Sequence, residues 1–471
     1  MSEIRLENNC ENNGANRSIS AGEYRKSAEE MLGFVAESPS CFHAIANLKE
    51  MLTKAGYREL AESSGWQVVP GGKYYVIRND SSVIAVNIPA AQIADGQADA
   101  KQIGAERAFP AVKGFHMIAS HSDSPTFKVK ESPEMLVEEK YVKLNTEKYG
   151  GMILSTWMDR ALSVAGRVAM KEGNNIVTKL VNINEDLLVI PNLAIHMNRE
   201  MNKGVEYNPQ VDMLPLFADC AEEGGKEAVK GALMRKLAQY AGVEAEDILG
   251  HDLFLYTREK GKVIGANGEF VFSPRLDDLQ CAYTSMKAFV ESEPENYINI
   301  CAVFDNEEVG SGTGQGADST FLEDTLWRVA EGLGADKSTY LQWVAGSFLI
   351  SADNAHAVHP NRPEKADPTN RPYLNGGIVI KYHGSQKYTT DAVSAAKMKC
   401  ICKVAEVPFQ TFTNRSDALG GSTLGNISTA HVSVSSVDIG LPQLAMHSAV
   451  ETAGVKDTEY AVKAFKVFFS E

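Results

Sequence analysis

The spacing of apolar residues predicts a chain of two textures. From Glu23 to Val35 and from Phe42 to Lys54 apolar side chains recur as on one face of a helix, the second run stopping at Gly56. The segment S-P-S-C-F-H-A at 38–44 joins these helices and leaves His43 an isolated, structural residue. Trp66 to Ile88 reads as short strands with turns at Gly71-Gly72 and Asn79-Asp80. Phe115–Ala119 and Ile298–Phe304 are short, nearly continuous apolar runs, the pattern of strands covered on both faces in a parallel sheet. Phe348–Ser351, Ile378–Tyr382 and Val432–Ile439 read as further strands, and 321–332 and 390–404 as helices. A closing helix, capped by Asp457 or Thr458, carries Ala461, Phe465, Phe468 and Phe469 on its apolar face.

Between about Thr126 and Phe272 the texture changes. Thr126–Lys130 alternates, as do parts of 137–144, and strand-like pieces continue through Leu187 to Ile195, interrupted by one helix from about Lys226 to Tyr240. Strand-rich sequence between βα flanks predicts an α/β fold: a mixed, mostly parallel sheet flanked by helices, formed by 21–125 and 273–471, with a β-rich domain inserted at 126–272. Residues 1–20, rich in Asn, Ser and Glu, read as a loose tail.

Composition narrows the function classes. A net charge of −15 over 471 residues argues against nucleic acid or an anionic membrane as the main partner, because either needs a basic patch. No apolar run approaches membrane-spanning length and the first residues lack the apolar core of a signal peptide, so a cytoplasmic protein is expected. The seven cysteines are odd in number and scattered, as reduced thiols are; Cys400 and Cys402 form a C-x-C without a second pair, so no thiolate metal site is expected.

Candidate chemistry collects where apolar runs end. His121 and Asp123 follow the run ending at Ala119, and an H-x-D spacing puts imidazole and carboxylate on one side of an extended chain. Asp305, Asn306, Glu307 and Glu308 follow the run ending at Phe304. If the chain stays extended there, the two glutamates point apart, one free to hold a metal and the other to handle a proton. Gly312 to Ala317 fits G-x-G-x-x-A, but three carboxylates beside such a loop repel a pyrophosphate. The bland alternative is a solvated acidic turn. Asp353, His356 and His359 lie beyond a third run, Asp277 and Asp278 near a helix start where caps are commonplace, and His447 in a loop; His196 and Lys381 end other strand-like pieces. Parallel strands bring such ends together. Two imidazoles and three carboxylates suffice for two divalent ions with one bridging carboxylate, and ligation without thiolates suits zinc, cobalt or manganese. Two such ions about 3.5–4 Å apart share a hydroxide and polarise a carbonyl, which points to hydrolysis.

H-S-D-S-P at 121–125, R-L-D-D-L at 275–279, D-N-E-E-V-G-S at 305–311, S-A-D-N-A-H-A-V-H-P-N at 351–361 and Q-L-A-M-H-S at 443–448 resemble, in order, the aspartyl aminopeptidase family of zinc metallopeptidases. The resemblance runs from about residue 23 to the C-terminus. It implies a zinc exopeptidase-like domain in which His121 and Asp353 bind one metal, Glu308 and His447 the other, and Asp277 bridges them. Glu307 becomes the general base, Asp123 the group orienting His121, and peptides with a free N-terminus the substrates. Lys381, Tyr388 and His356 fall to the substrate pocket. The resemblance also implies that the insert builds dimers, that these assemble into a tetrahedral dodecamer, and that His196 reaches a neighbouring subunit's site. Asp278, Ala161 and Leu419-Gly420 depart from the family's usual residues, which leaves acidic and neutral N-terminal residues both open as preferred substrates. The competing readings are a dinuclear amidase or carboxypeptidase and a non-catalytic shell protein; a pure binder has no need of Glu307.

Overall fold

The computed structural model describes residues 20–90 and 112–471, so the expected tail lies, but for Ser20, outside the described residues. A nine-stranded sheet organises the chain, in the order Arg58–Glu59, Lys73–Arg78, Ser82–Asn87, Tyr297–Phe304, Gly114–His121, Phe348–Ala352, Ser435–Gly440, Ile378–Tyr382 and Phe409–Thr413. Its four middle strands run parallel, with an antiparallel neighbour on each side. Alternate side chains of the apolar runs enter two different cores. Ile118, Cys301, Val303 and Ile350 pack with the helices Ala21–Ala36, Leu276–Val290 and Asp457–Phe469, while Met117, Ala119, Ile300, Ala302 and Leu349 pack with Phe321–Gly332 and its neighbours. Because both faces are covered, the strands read as unbroken apolar sequence. Phe465, Phe468 and Phe469 are fully buried beneath the sheet, each stabilising the fold by about 1.5–3 kcal/mol.

The parallel register levels the strand ends. Phe304 pairs with His121 and Ser351 with Ala119, so residues 121, 305 and 353 emerge at one edge of the sheet.

A six-stranded antiparallel sheet is formed by Asn175–Asn182, Leu162–Glu172, Ile248–Thr257, Thr126–Val137, Tyr141–Tyr149 and Leu216–Asp219, over a core that includes Phe127, Leu144, Leu233, Leu237 and Leu253. Lys262–Ile264 and Phe270–Ser273 do not join it. They pair instead in a third sheet with Glu451–Gly454, Pro442–Leu444 and Ala355–His356. Only long-range partners distinguish these strands from those before them.

Other local expectations are corrected by specific backbone events. Leu187–Ile195 makes isolated bridges only, because Pro191 lacks a donor and the chain beyond it is exposed; His196 therefore lies in a turn, not at a strand end. The helix expected over Lys226 to Tyr240 divides into Lys226–Val229 and Ala232–Ala241, since Lys230 is extended and Gly231 left-handed. Trp66 to Pro70 is not strand. The closing helix has no side-chain cap, and the Asp457 carboxylate instead accepts from the Asn375 and Gly377 amides at 2.7 and 2.9 Å. Among the described residues no helix is long and apolar enough to cross a membrane. The described cysteines are free thiols, all buried except Cys400.

Candidate metal centre

His121 is the last residue of its strand, and its ring is fixed from behind. Nδ1 faces the Asp123 carboxylate at 3.3 Å and the Asp123 carbonyl at 3.1 Å. Asp123 is itself held by three donors: the Tyr149 hydroxyl at 2.7 Å and the Glu307 and Glu308 amides, each at 3.2 Å. Those amides converge because the chain does not stay extended after Phe304. Asn306 turns left-handed and Glu307–Val309 forms a single tight helical turn, which replaces the expected alternation of the two glutamates. Asp277 escapes the helix it opens: Arg275 is left-handed, Asp277 has extended dihedrals, and no side chain caps the helix.

These departures bring one carboxylate between two imidazoles. Asp277 Oδ1 lies 3.6 Å from His121 Nε2, and Asp277 Oδ2 lies 3.4 Å from His447 Nε2. His447 Nε2 also meets Glu308 Oε2 at 3.4 Å, and His121 Nε2 meets Asp353 Oδ1 at 4.0 Å. The His447 ring directs Nδ1 to the Gly151 carbonyl at 3.1 Å, leaving Nε2 for the centre. Lys381, buried at the end of Ile378–Tyr382, reaches Asp353 Oδ2 at 3.5 Å. Glu307, Tyr388 and the exposed His356 line the same open cleft of about 850 Å³. His196 does not line it and stands exposed in its turn.

The electrostatics show a site short of positive charge. Burial, reinforced by surrounding carboxylates, pushes Glu307 up to about 8, Glu308 and Asp278 well above the carboxylate range, and Asp353 up despite Lys381. Burial works against both histidines, yet Asp123 and Asp277 hold His121 well above its usual value and Asp277 raises His447 to about 9. Burial likewise opposes ionisation of Asp277, but the two imidazoles hold it far below the usual range. Asp277 Oδ1, Asp278 Oδ1 and Glu308 Oε1 are buried without hydrogen-bond partners. Ligand atoms of His121, Asp277 and Glu308 lie within 4.8 Å of one another, as do those of His121, Asp278 and Asp353. Orphaned carboxylate oxygens among imidazole nitrogens, with no thiolate, are a donor set that fits zinc or similar divalent ions.

Sequence reasoning missed several residues that build this geometry. Glu451, fully buried, accepts from the Asp277 amide at 3.0 Å and from the His447 amide at 2.9 Å, tying together groups far apart in the chain. Asp278 Oδ2 accepts from the His121 amide at 3.1 Å. Tyr149 and Gly151 act from the end of Tyr141–Tyr149 and the turn after it. Nothing local marks them; Asp278 alone had a signal, its departure from the family's usual residue.

A family model described as "Aminopeptidase I zinc metalloprotease (M18)" matches residues 34–469. A probable M18 family aminopeptidase 2 of Clostridium novyi is 46% identical, over 94% of this chain and 99% of that protein. The solved structure of the Ape4 and Nbr1 complex superposes with a TM-score of 0.88 at 35% identity, covering 96% of this chain and 87% of that one. The mApe1 dodecamer of S. cerevisiae gives a TM-score of 0.80 at 28% identity, covering 95% and 97%.

Proposed function

The chain belongs to the M18 family of zinc metallo-aminopeptidases, and from that premise we propose that its cleft removes the first residue of peptides with two divalent cations, zinc by preference, bridged by Asp277. The observation that carries the reading is that the two Asp277 oxygens face two different imidazoles, from His121 and His447. His121 and Asp353 would hold one cation, and Glu308 and His447 the other. Two cations there would supply Lewis acidity for a peptide carbonyl and lower the pKa of water toward neutral pH. The protein's own groups do the rest. Asp123 and the Gly151 carbonyl fix the histidine tautomers so that both Nε2 atoms carry lone pairs toward the centre. Glu307, lining the cleft beside Asp277, takes a proton from the attacking water and returns it to the leaving amine. A substrate's free ammonium joins the uncompensated carboxylates, which favours an unblocked N-terminus.

Lys381 supports an acidic first side chain over a neutral one, since its buried ammonium lines the cleft. Assembly into a homo-oligomer, by analogy a dodecamer, is supported by the exposed stretch of Leu193, Ile195 and Met197 that carries His196; a strictly monomeric sedimentation profile would overturn it.

Glu307→Gln tests the mechanism. It should retain two equivalents of zinc while turnover of aminoacyl-anilides falls about 10²–10⁴-fold. Near-normal turnover removes Glu307 from the role, and cleavage of N-blocked peptides in preference to free ones would replace the aminopeptidase reading by an amidase.

A further inference from the structure

The chain that leaves the strand Tyr141–Tyr149 reaches one histidine of the centre, His447, directly and the other, His121, through Asp123. Tyr149 is the last residue of the strand Tyr141–Tyr149, and its hydroxyl donates to Asp123 Oδ2 at 2.7 Å while accepting from Asn306 Nδ2 at 2.8 Å. The chain then passes directly over the site. Gly151 accepts from His447 Nδ1 at 3.1 Å, the Ile153 amide donates to the His447 carbonyl at 2.9 Å, and Thr156 Oγ1 accepts from the Ala449 amide at 2.9 Å. One short segment, 149–156, therefore touches the supports of both imidazoles.

We propose that Tyr149 is a positioning residue for the cation at His121. This rests on the two-cation reading above. Besides the His121 ring, Asp123 has three donors among the described residues, and of these the Tyr149 hydroxyl alone comes from the strand Tyr141–Tyr149. With all three in place the carboxylate cannot rotate, Oδ1 stays against His121 Nδ1, and Nε2 is left as the ligand atom. Removing the hydroxyl leaves Oδ2 with the Glu308 amide alone and deprives the Asn306 amide group of its acceptor. Loss of such an orienting contact typically lowers metal affinity about 10–100-fold. The Tyr149 ring itself is held by an edge contact to Phe254, with centroids 5.3 Å apart, which allows packing and hydrogen bonding to be separated.

The experiment measures zinc affinity by chelator competition in two single-site backgrounds, His447→Ala, which keeps the His121 position, and His121→Ala, which keeps the His447 position. Adding Tyr149→Phe should weaken zinc about 10–100-fold in the first background and less than about threefold in the second. No loss in the first, or equal loss in both, overturns the proposal. Phe254→Leu, which loosens the ring without touching the hydroxyl, should lower the melting temperature but leave zinc affinity in the first background unchanged. A loss there as large as that from Tyr149→Phe shows mere packing and also overturns it. If the unmutated chain takes up no zinc, the two-cation reading fails first and this proposal with it.

Discussion

Gly150 offers a quantitative test of how closely the insert approaches the centre. Its φ is +81°, and a Cβ added there would lie 3.1 Å from Glu308 Cβ, 3.3 Å from the Glu308 carbonyl oxygen and 3.4 Å from Pro125 Cα. Ordinary carbon–carbon contact begins at about 3.5 Å, so in Gly150→Ala the Glu308 side chain must retreat by a few tenths of an ångström. The backbone is strained as well, by about 1–2 kcal/mol for a left-handed residue with a side chain. These effects act on different observables. Strain lowers stability, whereas displacement at a reacting centre lowers the rate, by about 100-fold for a full ~1 Å and by less for a few tenths of an ångström. Gly173→Ala separates them, because Gly173 has φ +62° in the hairpin between Leu162–Glu172 and Asn175–Asn182 and a Cβ there meets nothing within 4 Å. Steady-state kinetics on an aminoacyl-anilide, with urea unfolding alongside, should show both variants losing comparable stability and only Gly150→Ala losing kcat/KM, by roughly 3–10-fold. Equal kcat/KM in the two variants would refute the claim that Glu308 is packed against the insert.

Two further outcomes follow from buried charge. In Lys381→Met the ratio of kcat/KM for aspartyl over alanyl substrates should fall about tenfold or more, the worth of one charge-assisted contact, and an unchanged ratio removes the acidic preference. His116, stacked between Tyr297 and Phe468 with centroids at 3.6 and 4.4 Å, is held well below the usual histidine range by burial and then by Lys397. The unfolded chain takes up a proton there as pH falls below about 6.5 while the native chain does not, so this residue's contribution to stability is present above that pH and is lost below it. His116→Phe should thus be less acid-sensitive by up to about 1.4 kcal/mol per pH unit in urea unfolding between pH 7.5 and 5.5; an offset from the parent chain independent of pH contradicts the argument.

What the sequence determined by itself was whatever a short window can encode. The continuous runs at Phe115–Ala119 and Ile298–Phe304 announce strands covered on both faces, and the abrupt change to His121, Glu307, Glu308 and Asp353 marks the edge where those strands end. Motifs at these ends sufficed to identify the family. Tertiary structure decided the rest, because the deciding contacts span long separations. Phe270–Ser273 has a strand's pattern, but only pairing with Glu451–Gly454 says which sheet it joins. Asp277 looks like a helix cap until Glu451, 174 residues away, holds its amide and the two imidazoles take its carboxylate. His447 receives its tautomer from Gly151 across 296 residues. A backbone carbonyl has no side-chain signature, and a tyrosine ending an alternating strand resembles any other. Their importance arises only when folding excludes water and each buried donor and acceptor must find a partner inside the protein.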